Sequence, residues 1–310
     1  MQTNSQRNSE RLASSNHHTS VLLQEVLEAL NVSPDSIVVD GTVGGAGHLK
    51  EIAQKLSKEG TLIGIDADPA ALIRAKEKLS NVDANVLLIE GNFRDLRDHL
   101  ESKDINEVTH VLLDLGWSGF QLTAGRGFSF LTDEPLLMTY GIPTEETLTA
   151  KDLVNDLGEE QLADIIFAYG EERFARRIAR GIVASRSEKE IETTKQLADI
   201  VKSSVPIWYK HRKAHPATKT FQALRIAVND ELDALRDAMK GAMKLLKKDG
   251  RIAIITFHSI EDRIVKRFFE GLQRDGEGTL LSKKPIAPSE KEIKENPRAR
   301  SAKLRVFIKS

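Results

Sequence analysis

The chain has 310 residues, 45 Lys plus Arg, 46 Asp plus Glu and no cysteine, and 40% of its residues are hydrophobic. This length and apolar content exclude a wholly disordered chain, and the lack of cysteine excludes disulfides, cysteine-bound zinc, iron–sulfur clusters and thiolate nucleophiles. The formal net charge of -1 combines two unequal halves, because residues 1–150 carry 12 basic and 22 acidic side chains and residues 151–310 carry 33 and 24.

The N-terminal segment is polar, and no apolar run approaches the ~20 residues that a membrane span needs. Residues 1–17 lack the apolar core of a signal peptide and are predicted to form a flexible tail. Residues 20–30 have the spacing of a short amphipathic helix. We therefore expect a cytoplasmic protein without a membrane partner.

Short apolar runs then alternate with helical segments. The predicted strands are residues 37–40, 61–66, 85–89 and 110–115, and the predicted helices between them include 48–57 and 68–79. Nearly continuous apolar strands separated by helices indicate a parallel sheet that is covered on both faces. The predicted fold class is α/β.

The pattern changes after residue 115. Residues 116–143 are predicted to be loop, and the helical periodicity from 149 to about 204 includes helices at 159–168 and 171–185. Helical signals continue over 220–248, and they are followed by a strand at 251–257, a helix at 261–271, a polar loop and a final strand at 304–308. We interpret the chain as an α/β domain of residues 18–120 and 222–310, interrupted by a mostly helical insertion of residues 121–221 that contacts the substrate.

A glycine-rich stretch, residues 40–48, follows the first strand, and the second strand ends in Asp66. Glycines allow a tight turn near a ligand, and an acid after the next strand can bind ribose hydroxyls. This pair fits a dinucleotide or S-adenosylmethionine. The G-x-G-x-x-G spacing that serves a pyrophosphate is absent, and the Asp40 carboxylate suits the ammonium and sulfonium groups, so S-adenosylmethionine is favoured.

Several residues at these strand ends can have either a structural or a functional role. Asp68 precedes Pro69 and a helix, which predicts an N-cap, whereas Asp66 has no such local role and is the better ribose ligand. His48 either binds nearby backbone or contacts the cofactor. Phe93, after the third strand, either covers an adenine or belongs to the core.

The fourth strand ends in Asp114, at the edge where a transferred group would meet its acceptor. Asp114 is the catalytic candidate, and its alternative role is a loop or helix cap. Further along, Ser259 and Asp262 have the S-x-x-D spacing of a capping box, and no G-x-S-x-G motif accompanies them, so a hydrolase is rejected.

Residues 202–228 contain six Lys or Arg and no Asp or Glu, and aromatic residues and histidines are interspersed among them. Basic side chains with rings for stacking are typical of binding to single-stranded or loop RNA, and the alternative is a solvated basic face. The RNA-binding candidates are Lys210, Arg212, Lys213 and Lys219. Residues 297–305 form a second basic stretch.

Taken together, these stretches resemble the MraW family, the 16S ribosomal RNA (cytosine-N4)-methyltransferases that modify cytosine 1402. The matching segments run in order through nearly the whole chain from His18, and they are residues 18–23, 40–48, 113–116, 126–130, 169–175, 215–223, 257–263 and 296–300.

The resemblance implies a Rossmann-like class I methyltransferase fold with an inserted helical domain, S-adenosylmethionine as cofactor, and 16S ribosomal RNA of the small subunit as partner, without a metal. It carries cofactor contacts onto Ala46, Gly47, His48, Asp66, Phe93, Asp114 and Gln121. The strand ends alone also predict Asp66, Phe93 and Asp114 as cofactor contacts, and they predict Asp40 in addition.

Three segments depart from the family pattern. Ala46 replaces a glycine of G-R-G-G-H, and the backbone contacts there survive if its φ is negative. Residues 115–121 read L-G-W-S-G-F-Q where the family has L-G-V-S-S-P-Q, and the family's P-L-D-M-R-M becomes residues 135–140, which lose an acid and an arginine. These changes leave cofactor binding in place and bear on the geometry of the target site.

The expected reaction is direct transfer of a methyl group to the exocyclic amine, with Asp114 or a neighbouring carbonyl as the acceptor for the amine hydrogen. A cysteine adduct at the ring carbon is excluded. Two alternatives remain, namely a methyltransferase for another nucleic acid, although the S/D/N-P-P-Y motif of DNA enzymes is missing, and a non-catalytic RNA-binding protein.

Overall fold

A computed structural model describes residues 20–116, 119–122 and 124–310. The predicted tail, residues 1–17, lies outside the described residues, as do His18 and Thr19 of the first matching segment and Trp117 and Ser118 of the altered loop. Among the described residues, no helix is both long enough and apolar enough to cross a membrane.

One mixed sheet of seven strands forms the centre of the described chain, in the order β3-β2-β1-β4-β5-β7-β6. The strands are β1 (Ile37–Asp40), β2 (Thr61–Asp66), β3 (Asn85–Glu90), β4 (Val108–Asp114), β5 (Leu246–Thr256), β6 (Gly278–Leu280) and β7 (Lys303–Lys309). This confirms the α/β class, with a Rossmann-like sheet.

The prediction of a wholly parallel sheet is wrong for its last two strands. Strands β1 to β5 are parallel, but β7 pairs antiparallel with both β5 and β6. Apolar periodicity does not encode strand direction, and antiparallel neighbours need no crossover helix between them. Buried Arg305 on β7 is bonded to Asp262 (Nε to Oδ1, 2.7 Å), which ties this strand to the helix that follows β5.

Helices cover both faces of the sheet and form two apolar cores, one on each face. The first helices are α1 (Leu23–Leu30), α2 (Gly47–Ala53), α3 (Pro69–Lys78), α4 (Leu96–Glu101) and the short α5 (Gly119–Leu122). The helix α12 (Glu231–Leu245) leads into β5, and α13 (Ser259–Arg274) and α14 (Glu290–Glu295) follow it. The segment predicted as a polar loop after residue 271 therefore contains β6 and α14.

A third core belongs to the helical region between β4 and β5. Its helices are α6 (Ala150–Asp156), α7 (Glu159–Gly170), α8 (Ala175–Arg186), α9 (Thr194–Ser204), α10 (Ile207–Lys210) and α11 (Thr218–Asn229). The predicted helix at 171–185 begins four residues later, because Glu171 adopts a left-handed conformation (φ 49) that ends α7. Helix α11 packs Phe221 and Leu224 into this core and so crosses the predicted boundary at 221/222, and the division into domains stays a prediction.

Candidate functional site

A cavity of about 710 Å³ opens at the carboxyl ends of β1, β2 and β4 and extends toward α11, α12 and the start of α13. In an α/β sheet this edge, next to the point where the strand order reverses, is where ligands bind. The chain order β1, β2, β3 on one side and β4, β5 on the other places that point between β1 and β4. Six predicted cofactor residues line the cavity, and they are Gly47, His48, Asp66, Phe93, Asp114 and Gln121.

The loop after β1 forms the wall nearest α2. A Cβ on Gly47 would lie 1.9 Å from Ser20 Oγ, so any other residue there would require the buried Ser20 side chain to move. Ala46 has φ 55, which contradicts the negative φ on which its tolerance was expected to rest. A left-handed alanine costs about 1–2 kcal/mol; its side chain is fully buried in the core, and Ala46 is not part of the cavity lining.

Asp40 lies behind this loop and does not line the cavity. Its Oδ1 accepts hydrogen bonds from the backbone N–H (3.0 Å) and the hydroxyl (3.3 Å) of Thr42, and the Thr42 hydroxyl in turn accepts the backbone N–H of Asp114 (2.7 Å). Burial raises the pKa of Asp40 to about 7. The two hydrogen bonds from Thr42 act to lower this pKa, and the charge of Asp66 acts to raise it. Asp40 therefore positions the turn and adds negative potential from behind it.

Asp66 has a local role that the sequence did not predict. Its Oδ2 accepts the backbone N–H of Gly44 (2.7 Å) and its Oδ1 accepts that of Asp68 (2.8 Å), because the carboxylate lies between two turns. Asp68 is the predicted N-cap, since it accepts the N–H of Ala70, and its other oxygen pairs with Arg126 (3.0 Å). Asp66 thus joins two loops of the site and still lines the cavity.

His48, Phe93 and Gln121 lie around the same opening. The backbone interpretation of His48 is confirmed, because its Nε2 is 3.0 Å from the carbonyl of Val21. Its Nδ1 is 3.7 Å from Asp114 Oδ2 and it lines the cavity, and its contact with the cofactor stays a prediction. Phe93 is half-buried at the end of β3, where its ring belongs partly to the core. Gln121 is buried on α5.

Asp114 lines the cavity at the end of β4. Its Oδ1 is buried and, among the described residues, has no hydrogen-bonding partner. Burial raises the pKa of Asp114 well above its ordinary value, and the charges of Asp40 and Glu261 raise it further. An unpaired buried acceptor costs free energy in the absence of a ligand, which is typical of a functional site.

The acidic end of the cavity fits the cationic cofactor expected from the sequence. Burial raises the pKa of Asp40, Asp66 and Asp114 alike, so ionising all three is unfavourable while the site holds no positive charge. A sulfonium or ammonium group placed beside them favours the ionised forms and gives Asp114 Oδ1 a positive neighbour.

The opposite end of the cavity contains a buried ion pair that sequence analysis missed. Arg225 on α11 donates from Nε and Nη2 to the two oxygens of Glu231 (2.7 and 2.9 Å), and Tyr140 donates its hydroxyl to Glu231 Oε1 (2.9 Å). Burial raises the pKa of Tyr140 well above its ordinary value. Tyr140 lies in the altered 135–140 segment, where the sequence showed lost charges but gave no sign of this contact.

The N-cap of α13 forms the third wall, and its predicted register is wrong by one residue. His258, not Ser259, is the N-cap, because its Nδ1 accepts the N–H of Glu261 (3.3 Å) while Glu261 Oε2 accepts the N–H of Phe257 (2.9 Å). Ser259 instead donates to Glu171 (2.6 Å). An imidazole nitrogen replaces the usual hydroxyl oxygen as the acceptor at the cap. The S-x-x-D pattern therefore indicates the neighbouring residue, Ser259, as the N-cap.

The basic segment belongs to the helical region between β4 and β5. Lys210, Arg212 and Lys213 lie at and after the end of α10, Arg212 and Lys213 are exposed, and Lys219 donates to the carbonyl of Glu171 (2.6 Å). Trp208 is 54% exposed, but Tyr209 and Phe221 are buried in the helical core, so they are not available for stacking.

Two parts of the predicted basic surface serve other contacts. Arg225 is buried in its pair with Glu231. In the C-terminal stretch, Lys303 and Arg305 both bind Asp262.

Comparison with known proteins agrees with this geometry. The family model described as the MraW methylase family matches residues 15–310. The chain is 45% identical over 309 residues to Ribosomal RNA small subunit methyltransferase H of Clostridioides difficile, with 94% of this chain and 99% of that protein covered. It is 49% identical over 293 residues to the protein of the same name from Coprothermobacter proteolyticus, with 94% and 96% covered.

Proposed function

The chain belongs to the MraW methylase family, and on that premise we propose that it transfers a methyl group from S-adenosylmethionine to the exocyclic N4 amine of cytosine 1402 in 16S ribosomal RNA. It is an enzyme with a class I methyltransferase fold. The proposed setting is the small ribosomal subunit in the cytoplasm.

The observation that carries the proposal is that Asp114 lines one cavity together with two unlike groups of residues. The first group is the Gly-rich loop with Asp66, and the second is Tyr140 with the Arg225–Glu231 pair. The Oδ1 atom of Asp114 is buried and has no hydrogen-bonding partner among the described residues. This arrangement suits a reaction in which a group passes from a ligand at one end to an acceptor at the other.

S-adenosylmethionine supplies, when bound, an electrophilic methyl group on a sulfonium centre. The cytosine amine is a poor nucleophile because its lone pair is delocalised into the ring. Asp114 orients that amine by accepting a hydrogen bond from it at Oδ1. As the N–C bond forms, the bond from the methyl carbon to sulfur breaks, and the carboxylate of Asp114 takes the proton that the amine loses. Holding the two reactants in line can supply about 7–11 kcal/mol of the barrier.

Ionisation of Asp114 is coupled to the cationic cofactor. Burial and the charges of Asp40 and Glu261 favour the protonated acid, in which one oxygen carries the hydrogen and acts mainly as a donor. A positive charge beside Asp114 favours the carboxylate, so the group becomes an acceptor when the donor is in place.

The target base must reach this cavity from outside. A cytosine within a helix cannot present its amine to a buried carboxylate, so the nucleotide must be unpaired or flipped out. Lys210, Arg212 and Lys213, at and after the end of α10, are the proposed contacts to the RNA backbone, with Trp208 as an exposed ring near them in sequence.

The test uses small ribosomal subunits that lack the N4 methyl group on cytosine 1402, together with S-adenosylmethionine that carries a labelled methyl group. We expect one label per subunit on the N4 atom of that cytosine, and none on subunits that already carry the methyl group. Labelling at another nucleotide, or no labelling despite cofactor binding, would contradict the proposal. Labelling of DNA instead would identify a different nucleic-acid substrate.

A further inference from the structure

His258 carries a second unpaired polar atom in the cavity. Its Nδ1 accepts the backbone N–H of Glu261 (3.3 Å) and therefore carries no hydrogen, so in the neutral ring the hydrogen is on Nε2. The His258 side chain is only 10% exposed, and His258 lines the cavity. The helix cap thus fixes both the orientation and the tautomer of the ring.

This Nε2–H group has no hydrogen-bonding partner among the described residues. Glu261 Oε1 lies 3.1 Å from Nε2 as an ion-pair neighbour, and the other oxygen of Glu261 accepts the N–H groups of Phe257 (2.9 Å) and His258 (3.3 Å). The Glu261 charge therefore compensates the donor in part, but the donor lacks an aligned acceptor among the described residues, which costs free energy at a buried site. A ligand at this cavity wall can supply the aligned acceptor.

The local charges argue against a metal ion as that ligand. Ligand atoms of Glu231, His258 and Glu261 lie within 4.8 Å of one another, which is close enough for a cation. Both oxygens of Glu231, however, are held by Arg225, whose guanidinium is itself the positive charge at this end. A neutral ligand with a hydrogen-bond acceptor fits better than a second cation.

Asp114 supplies the complementary atom. Its unpaired Oδ1 is an acceptor in the same cavity, and the charge of Glu261 is close enough to raise the pKa of Asp114. Among the described residues that line the cavity, Asp114 and His258 therefore offer a buried acceptor and a buried donor to a ligand. Cytosine presents the matching pair on its Watson–Crick edge, with the N4 amine as donor and N3 as acceptor, whereas uracil presents an O4 acceptor and an N3–H donor.

We propose that His258 is the base-recognising residue of this enzyme, and that its Nε2–H donates to N3 of the target cytosine while Asp114 accepts from the N4 amine. This inference rests on the proposed function. It also explains how uracil is rejected. The Asp114 acceptor would face the O4 acceptor of uracil, and the Nε2–H donor of His258 would face the N3–H donor.

Two substitutions separate the donor from the helix cap. In His258→Asn the side-chain oxygen can still accept at the N-cap, where Asn is well suited, but no group remains at Nε2. In His258→Gln the amide nitrogen can reach the place of Nε2. Thr193→Asn is the matched control, because Thr193 caps α9 with the same kind of bond and does not line the cavity.

The first measurement is the affinity of protein loaded with S-adenosylhomocysteine for cytidine, 3-deazacytidine and uridine, by calorimetry. The wild type should prefer cytidine over 3-deazacytidine, which lacks the N3 acceptor, by about ten- to hundredfold. His258→Asn should reduce this ratio to about one, and His258→Gln should restore part of it. S-adenosylhomocysteine affinity and the Thr193→Asn control should be unchanged.

An unchanged cytidine preference in His258→Asn would overturn the assignment, as would equal loss of S-adenosylhomocysteine binding, which indicates a structural role. The proposed function fails separately, if the wild-type protein does not methylate cytosine 1402. In the methylation assay, His258→Asn should lower kcat/KM by about ten- to hundredfold.

Discussion

The two ends of the cavity are built in different ways. The end at β1 and β2 consists of backbone turns and carboxylates that are close in sequence, with Asp66 bound to the backbone of Gly44 and Asp68. The end at α11 and α12 consists of a buried ion pair and a tyrosine from separate segments. The first end has buried carboxyl groups that ionise when a cation lies beside them, whereas the Glu231 carboxylate of the second end is already paired with Arg225, so that end suits an uncharged base.

The largest expected effect concerns Asp114, which lies where the two ends meet. Asp114→Asn keeps the shape of the side chain but removes the carboxylate, so kcat for methyl transfer should fall by about 10²–10⁴-fold. Cofactor affinity should change much less. Measurement of kcat and of S-adenosylmethionine binding on the same preparation checks this, and a kcat within about tenfold of the wild type would remove Asp114 from the proton-accepting role.

The ion pair should determine the stability of the second end. Arg225→Met leaves the buried Glu231 carboxylate unpaired, so the free energy of unfolding should fall by about 3–5 kcal/mol. Urea denaturation measures this loss. The double variant Arg225→Met/Glu231→Gln removes the stranded charge and should recover part of it, and an equal loss in both variants would show that the charge itself is unimportant.

Substitution of Asp66 tests whether the first end binds the cofactor. Asp66→Ala removes the proposed ribose acceptor and the bond to Gly44, so S-adenosylmethionine binding should weaken by about ten- to hundredfold, the loss of one or two charge-assisted hydrogen bonds. Calorimetry checks this. Unchanged affinity would exclude Asp66 from the cofactor site, and Arg225→Met should bind the cofactor as the wild type does.

The acidity of the first end predicts a pH dependence. Because burial raises the pKa of Asp40 to about 7, cation binding should release protons and tighten as pH rises toward that value, by up to about tenfold per unit. Without ligand the sign is opposite, since a raised carboxyl pKa makes the fold less stable as pH rises from near 4 to about 7. Calorimetry in two buffers measures the released protons, and Asp40→Asn should reduce their number.

The smallest expected effect is on the outer surface. Replacing Lys210, Arg212 and Lys213 by Gln should weaken RNA binding and reduce its salt slope by about 0.7 for each lost phosphate contact. Replacing the exposed Lys283 and Lys284 is the control. An equal change in both variants, or an unchanged slope in the first, would show that Lys210, Arg212 and Lys213 are ordinary surface residues.

The sequence predicted the first end far better than the second. The acids Asp66 and Asp114 follow buried strands, so strand periodicity alone places them at one edge of the sheet. Tyr140 and His258 are far in sequence from the Arg225–Glu231 pair, and only tertiary packing brings them to it. Arg225 even counted toward a basic surface, because a charge total cannot distinguish a buried guanidinium from a solvated one.

Some local features also depended on the fold. The positive φ of Ala46 is set by the turn between β1 and α2, and the one-residue error at the cap of α13 arose because His258 performs a role expected of Ser259. The antiparallel direction of β7 follows from its pairing with β5 and β6, which apolar alternation does not specify.

The most direct test of the account is a crystal structure with S-adenosylhomocysteine and cytidine bound together. We expect the ribose hydroxyls of the cofactor product at Asp66, and the cytidine amine within hydrogen-bonding distance of Asp114 Oδ1, between the two ends of the cavity. Cytidine bound outside this cavity, or bound with its amine directed away from Asp114, would contradict the central claim that one cavity holds both reactants.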